Sequence, residues 1–153
     1  MGFLLLLAVM PLMSHAQGVS VKDGMYFSTD GQLYTGQYTD FYTSGNKKSE
    51  LTVVNGKLNG VASYFFESGK VMEKGSFLNN LRNGEWKSWN EAGIQTGDAN
   101  YSNGKKDGQW LVWDDQGQKR MEMYYKDDKK TGTWKMWDEN GTLTGERTYS
   151  ESE

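Results

Sequence analysis

The sequence has no cysteine, one proline and one histidine in 153 residues. Without cysteine there are no disulfides, no thiolate metal sites, no thiol nucleophile and no lipid attachment through an N-terminal cysteine. The one histidine, His15, falls in a segment that reads as a cleaved leader. The mature chain therefore lacks the commonest general base and the usual metal-binding imidazole. No sign of charge dominates either: 17 Lys and Arg stand against 20 Asp and Glu, for a formal net charge of −3. That balance excludes the basic footprint of a nucleic-acid-binding domain. Nor does any mature stretch of about 11 residues hold an apolar face at the helical period, so helix is a poor competitor.

The only long apolar run is Gly2 to Met13, with Leu4 to Leu7 at its centre, followed by Ser14-His15-Ala16. An apolar run ending in small-x-small reads as a secretory signal peptide over 1–16, with Gln17 as the first mature residue. The run is shorter than the ~20 residues needed to span a bilayer. The processed chain is expected to be exported, to the periplasm or medium, and not to span a membrane.

What is abundant is glycine, and it is periodic. Gly36, Gly60, Gly84, Gly108 and Gly132 recur every 24 residues, and Gly45, Gly69, Gly93, Gly117 and Gly141 follow nine positions after them. A repeat of this length is a supersecondary unit that must stack on its neighbours to bury its apolar face. The pairs Asn55-Gly56, Asn79-Asn80, Asn103-Gly104 and Asp127-Asp128 are favoured in two-residue hairpin loops. Between turns lie segments of strand length and strand composition. The expected fold is all-β: an elongated single-layer antiparallel meander of tandem 24-residue β-hairpins over residues 17–153, with units starting near 36, 60, 84, 108 and 132.

Aromatic residues fall into columns on this frame. Tyr38, Trp86, Trp110 and Trp134 lie two residues after the unit glycine; Phe41, Phe65, Trp89, Trp113 and Trp137 lie five after; Phe77, Tyr101, Tyr125 and Tyr149 lie seventeen after. Residues three apart point to opposite faces of a regular strand. Trp110 and Trp113 therefore predict either two aromatic faces or a bulge near 111 and 112 that brings both rings together. The expectation is a structural ladder of the second and third columns and an interaction surface made by Tyr38, Trp86, Trp110 and Trp134. Because the last units match the consensus best, Gly84 to Tyr149 is expected to be the most stable block.

The remaining polar groups read as structural. Lys105-Lys106 and Lys129-Lys130 share a repeat position, and with Asp107, Asp127 and Asp128 beside them they read as a solvated face. Asp114-Asp115 and Asp138-Glu139 could in principle do glycosidic acid–base work, or bind calcium. They recur at matched turn positions, where Asp and Asn are favoured without any ligand. No enzyme activity, cofactor or metal is expected.

From about Gly24 to Tyr149 the chain resembles the MORN-repeat superfamily, in particular its bacterial variant. The carrying segment runs from Tyr101 through Asn103-Gly104, Gly108, Trp110 and Trp113 to Gly117, echoed by Tyr125 through Gly141 and more loosely by Val53 through Gly69. The resemblance implies a twisted hairpin array, a scaffolding role in protein–protein contact and, for some members, phospholipid binding or an antitoxin role. No catalytic residues come with it. The leading expectation is thus an exported scaffold for a protein partner. The alternatives are recognition of an envelope glycan or phospholipid headgroup by an aromatic stripe, and antitoxin-like inhibition of a toxin partner.

Overall fold

The computed structural model describes residues 18–150; the leader 1–16, including His15, lies outside them. The described residues form thirteen strands and no helix. Two short ones, β1 (Ser20–Lys22) and β2 (Met25–Phe27), make a separate hairpin. The rest are β3 (Gly36–Phe41), β4 (Lys47–Val54), β5 (Lys57–Phe65), β6 (Val71–Leu78), β7 (Leu81–Arg82), β8 (Gly84–Trp89), β9 (Gln95–Ser102), β10 (Lys105–Trp113), β11 (Lys119–Lys126), β12 (Lys129–Trp137) and β13 (Leu143–Tyr149). They form one antiparallel sheet ordered β3-β4-β5-β6-β8-β9-β10-β11-β12-β13, with β7 paired to β6 beside the path. Apart from β6, which pairs with β8 past the two-residue β7, each strand pairs only with sequence neighbours, as the 24-residue period predicts.

Turn chemistry sets this register. Asn55 and Gly56 adopt φ of 49° and 75°, and Asp127 and Asp128 adopt 49° and 68°. Two successive positive φ values make the type I′ turn whose twist matches that of the flanking strands. At the opposite end of each hairpin the recurring acids cap a turn. Asp114 Oδ1 accepts the backbone N–H groups of Gln116 (3.0 Å) and Gln118 (2.9 Å), and Asp138 Oδ1 those of Asn140 and Thr142. The turn reading of these carboxylates is therefore the one the geometry uses.

The unit glycines sit where one hairpin joins the next. The β9–β10 pairing slips between Lys106 and Trp110, and Gly108 lies inside that bulge at φ 102°. A Cβ at Gly108 would come within 3.3 Å of Asn100 Cβ, so both backbone conformation and space call for glycine there. A second bulge recurs before every second-column aromatic, as between Val112 and Trp113. That slip leaves out Arg120 on β11 and leaves β10 regular from Trp110 to Trp113. The two tryptophans consequently stay on opposite faces.

One face, here face A, carries a central row in register: Tyr38, Leu51, Ala62 and Gly75, then Trp86, Ala99, Trp110 and Met123. The other, face B, is mostly polar, with Glu50, Lys74, Lys87, Asp98, Glu122, Lys135 and Glu146 on matching positions. The buried cluster is Tyr26, Leu51, Val53, Ala62 and Trp86, all on face A of the N-terminal units. The β1–β2 hairpin makes it possible: Tyr26 donates its N–H to the Gly56 carbonyl (2.9 Å), and the Gly24 carbonyl reaches Asn80 Nδ2 (3.3 Å). The distribution of burial runs against the expectation that Gly84 to Tyr149 is the stable block. Consensus regularity marks the C-terminal units, but the deep burial lies between Tyr26 and Trp86.

Candidate functional site

On face A the first and third aromatic columns interleave into one ladder. Ring centroids are 5.0 Å apart for Phe77 and Trp86, 5.1 Å for Tyr101 and Trp110, 5.4 Å for Trp110 and Tyr125, 5.1 Å for Tyr125 and Trp134 and 5.0 Å for Trp134 and Tyr149. Most meet edge-to-face or tilted, the geometry a ring quadrupole prefers. The indole N–H of each tryptophan is also committed. Trp86, Trp110 and Trp134 donate to the carbonyls of Ser76, Asn100 and Tyr124 at 3.0, 2.9 and 3.0 Å. Asn100 and Tyr124 lie where the β9–β10 and β11–β12 pairings slip, so the side chain takes up a carbonyl that the ladder leaves over.

The sequence grouping of the columns is thereby corrected. Trp86, offered as interaction surface, is 2 % exposed and belongs to the core. Tyr38 is covered by Tyr26, their centroids 5.1 Å apart. Trp110 and Trp134 are half-buried and pack with Tyr101, Tyr125 and Tyr149, which had been grouped with the structural ladder. Phe41, Phe65, Trp89, Trp113 and Trp137 are not part of that ladder. They lie on face B beside the recurring bulge, with Lys47 over Phe65 (5.5 Å) and Lys119 over Trp137 (4.9 Å). Period alone cannot separate these sets, because seventeen residues forward along a hairpin returns the chain to the same face.

A third set joins the ladder, the cations two positions before a unit glycine, of which Lys106 and Lys130 are named from sequence and Arg82 is not. Arg82 lies 3.9 Å from the Trp86 ring and 5.5 Å from Tyr101. Lys106 Nζ sits 4.5 Å over Trp110 and 4.7 Å over Tyr125, and Lys130 Nζ 4.6 Å over Trp134 and 5.2 Å over Tyr149. Their aliphatic stems cover ring surface while the charge meets the π face. Lys105, Lys129 and Lys130 are exposed, as a solvated face predicts, and Lys106 is partly buried; what that reading lacks is that Lys106 and Lys130 are directed onto the ladder. The signal was their shared repeat position, masked by adjacent acids. Of these, Lys105 pairs with Asp127 (3.4 Å) and Asp107 with Lys126 (2.9 Å), leaving Lys106 and Lys130 outside those pairs.

The three cations differ in one respect. Arg82 forms a two-pronged ion pair with Glu73 at 2.9 and 2.8 Å. Burial opposes its charge, but Glu73 more than offsets this and the guanidinium pKa ends above its ordinary value. One unit on, the position equivalent to Glu73 is Gly97, and one further it is Met121. Neither Lys106 nor Lys130 has a carboxylate at ion-pair distance among the described residues. Burial also lifts the phenol of Tyr125 above its ordinary pKa, which places its hydroxyl in a partly desolvated setting.

Face B offers shallow depressions, one lined by Val71, Lys74, Trp89 and Ala92. Among the described residues no cluster of His, Asp or Glu could hold a metal ion, and no helix is long and apolar enough to cross a membrane.

Four segments, residues 34–55, 58–79, 106–127 and 130–151, match a family model described as MORN repeat variant, and together they cover more than half of the chain. The third unit lies between matched segments. It is also where the β6–β8 pairing shortens to Glu73↔Ser88 and Lys74↔Lys87. No match to a curated protein accompanies this one.

Proposed function

The chain belongs to the MORN repeat variant family, and on that premise we propose that it is an exported, non-enzymatic scaffold that binds a protein partner along face A. Repeats of this family generally mediate contacts with proteins or membrane lipids. The observation that carries the reading is the contrast between the two halves of face A. Over the first units it is covered by the chain's own hairpin, through Tyr26. From β9 to β13 the ladder rings are partly exposed, and no element among the described residues covers them. Stacked rings of this kind supply rigid contact area at low entropic cost.

Support for a protein over a sugar comes from the rings themselves. Tyr101, Trp110, Tyr125, Trp134 and Tyr149 already use their faces and edges on one another and on Lys106 and Lys130, which leaves little open π surface for a pyranose. The absence of an enzymatic role is supported by the commitment of Asp114 and Asp138 to turns. Export rests on the pattern from Gly2 to Ala16. A photo-crosslinking amino acid at position 136, an exposed face A methionine, should yield protein adducts in cells, while the same probe at Lys135 on face B should not. Adducts to lipid alone, or equal labelling from both positions, would overturn the reading.

A further inference from the structure

We propose that face A from β9 to β13 binds an extended acidic segment of the partner, whose carboxylates pair with Lys106 and Lys130 as Glu73 pairs with Arg82. The inference rests on the scaffold reading and names the chemistry of its partner.

The covered half of the face shows what the uncovered half requires. Beneath the N-terminal hairpin, the positions equivalent to Arg82, Lys106 and Lys130 are Tyr34 and Leu58. The cover there is apolar in kind, with Val19 and Tyr26 against Leu51 and Val53. At the next unit the position turns cationic and an internal acid, Glu73, neutralises it. At the last two units it is again cationic, and the neutralising position holds Gly97 or Met121. An ammonium positioned over aromatic rings and without an internal carboxylate keeps its N–H donors available for a charge-assisted hydrogen bond to an anion. Among the described residues no carboxylate supplies the missing charges, and an acidic partner would bring them.

Geometry narrows the ligand. Lys106 and Lys130 are equivalent residues on units two strands apart, a separation of about 10 Å at the usual strand spacing. A polyproline-II segment returns every third side chain to one side at about 9 Å, so carboxylates three residues apart reach both cations. Apolar residues between them would meet Met121, which is partly exposed, and Met136, which is exposed; their flexible thioethers adapt to varied partners. An anionic bilayer fits less well. Trp110 and Trp134 are half-buried and tied by their N–H groups to Asn100 and Tyr124, so neither indole can swing outward into lipid.

The test uses a fluorescent 12-residue peptide of four Glu-Pro-Leu triplets, its Lys-Pro-Leu counterpart and vesicles of phosphatidylglycerol. The acidic peptide should bind the wild-type chain in a salt-dependent way and protect Lys106 and Lys130, but not Lys74 and Lys135, from acetylation read by mass spectrometry. Binding should fall about tenfold or more in Lys106→Gln/Lys130→Gln and change little in the equally charged Lys74→Gln/Lys135→Gln. No peptide binding, protection spread over both faces, or preference for the lysine peptide or the vesicles would overturn the proposal. If protein adducts still form at position 136 in that event, the acidic ligand falls and the scaffold reading stands.

Discussion

Gly75 lies against Trp86, one position beyond the last paired residues of the β6–β8 junction, and a Cβ on Gly75 would overlap the indole ring at Cδ2 and Cε2. The backbone of Gly75 is ordinary strand, so the requirement is spatial alone. The most buried tryptophan therefore sits where the central row of face A has no side chain to oppose it. Ala99, on its other side, is the next smallest choice.

Gly75→Ala should consequently destabilise the protein by ~1–3 kcal/mol or more, the usual cost of overpacking. Gly93→Ala, at a turn with open space but φ of 83°, should cost only the left-handed backbone penalty of roughly 1–2 kcal/mol. Urea titration of both variants, followed by tryptophan fluorescence, compares them. A Gly75 variant as stable as wild type would mean that the indole can move aside.

The two tryptophan sets should respond differently. Trp86→Ala removes a buried ring, an edge-to-face contact with Phe77 and a hydrogen bond to Ser76, and should cost ~3–5 kcal/mol. Trp113→Ala, on face B beside the bulge, should cost distinctly less. For Trp110→Phe the ring remains but the Asn100 carbonyl loses its donor, at about 1–3 kcal/mol. Equal losses at Trp86 and Trp113 in thermal melts would contradict this assignment of faces.

Asp98 makes stability depend on pH. Burial first, and the neighbouring Glu85 second, raise its carboxyl pKa above the ordinary value; Oδ1 has no hydrogen-bond partner and Lys87 stands 3.9 Å from the other oxygen. The native state thus holds this proton more tightly than the unfolded chain. Ionisation costs stability as pH rises through the native pKa, and the cost is absent below the ordinary carboxylate range. Asp98→Asn should therefore raise the melting temperature near pH 7, by at most ~1 kcal/mol of stability. That gain should vanish towards pH ~3. A gain independent of pH would show that titration of Asp98 is not its source.

Truncation should reveal where the stability lies. A fragment of residues 18–107 keeps Tyr26, Leu51, Val53, Ala62 and Trp86 together and should fold cooperatively. A fragment of residues 84–153 has more tryptophan per residue but only the half-buried ladder, and should melt at lower urea. Circular dichroism of the two decides it; the reverse order would restore consensus regularity as the better guide.

Much of the fold was legible because it depends on local chemistry. Asn55-Gly56 and Asp127-Asp128 specify type I′ turns through their own φ preferences, and Gly108 specifies its bulge the same way. With turns recurring every 24 residues, the strands between them have only their neighbours to pair with. The sequence by itself determined an all-β meander of hairpin units and the turn role of Asp114 and Asp138.

Which face each ring occupies was decided only in the folded sheet. Tyr101 and Trp110 are nine residues apart in sequence, an odd spacing that hides their shared face until the Asn103-Gly104 turn and the bulge around Gly108 are placed. The cover supplied by Tyr26 and the absence of a carboxylate beside Lys106 and Lys130 among the described residues are likewise tertiary facts. They depend on where the short N-terminal hairpin comes to rest and on Glu73 having no counterpart at Gly97 or Met121. Burial and charge pairing are properties of assembled rows across ten strands, whereas period and turn propensity reside within one hairpin.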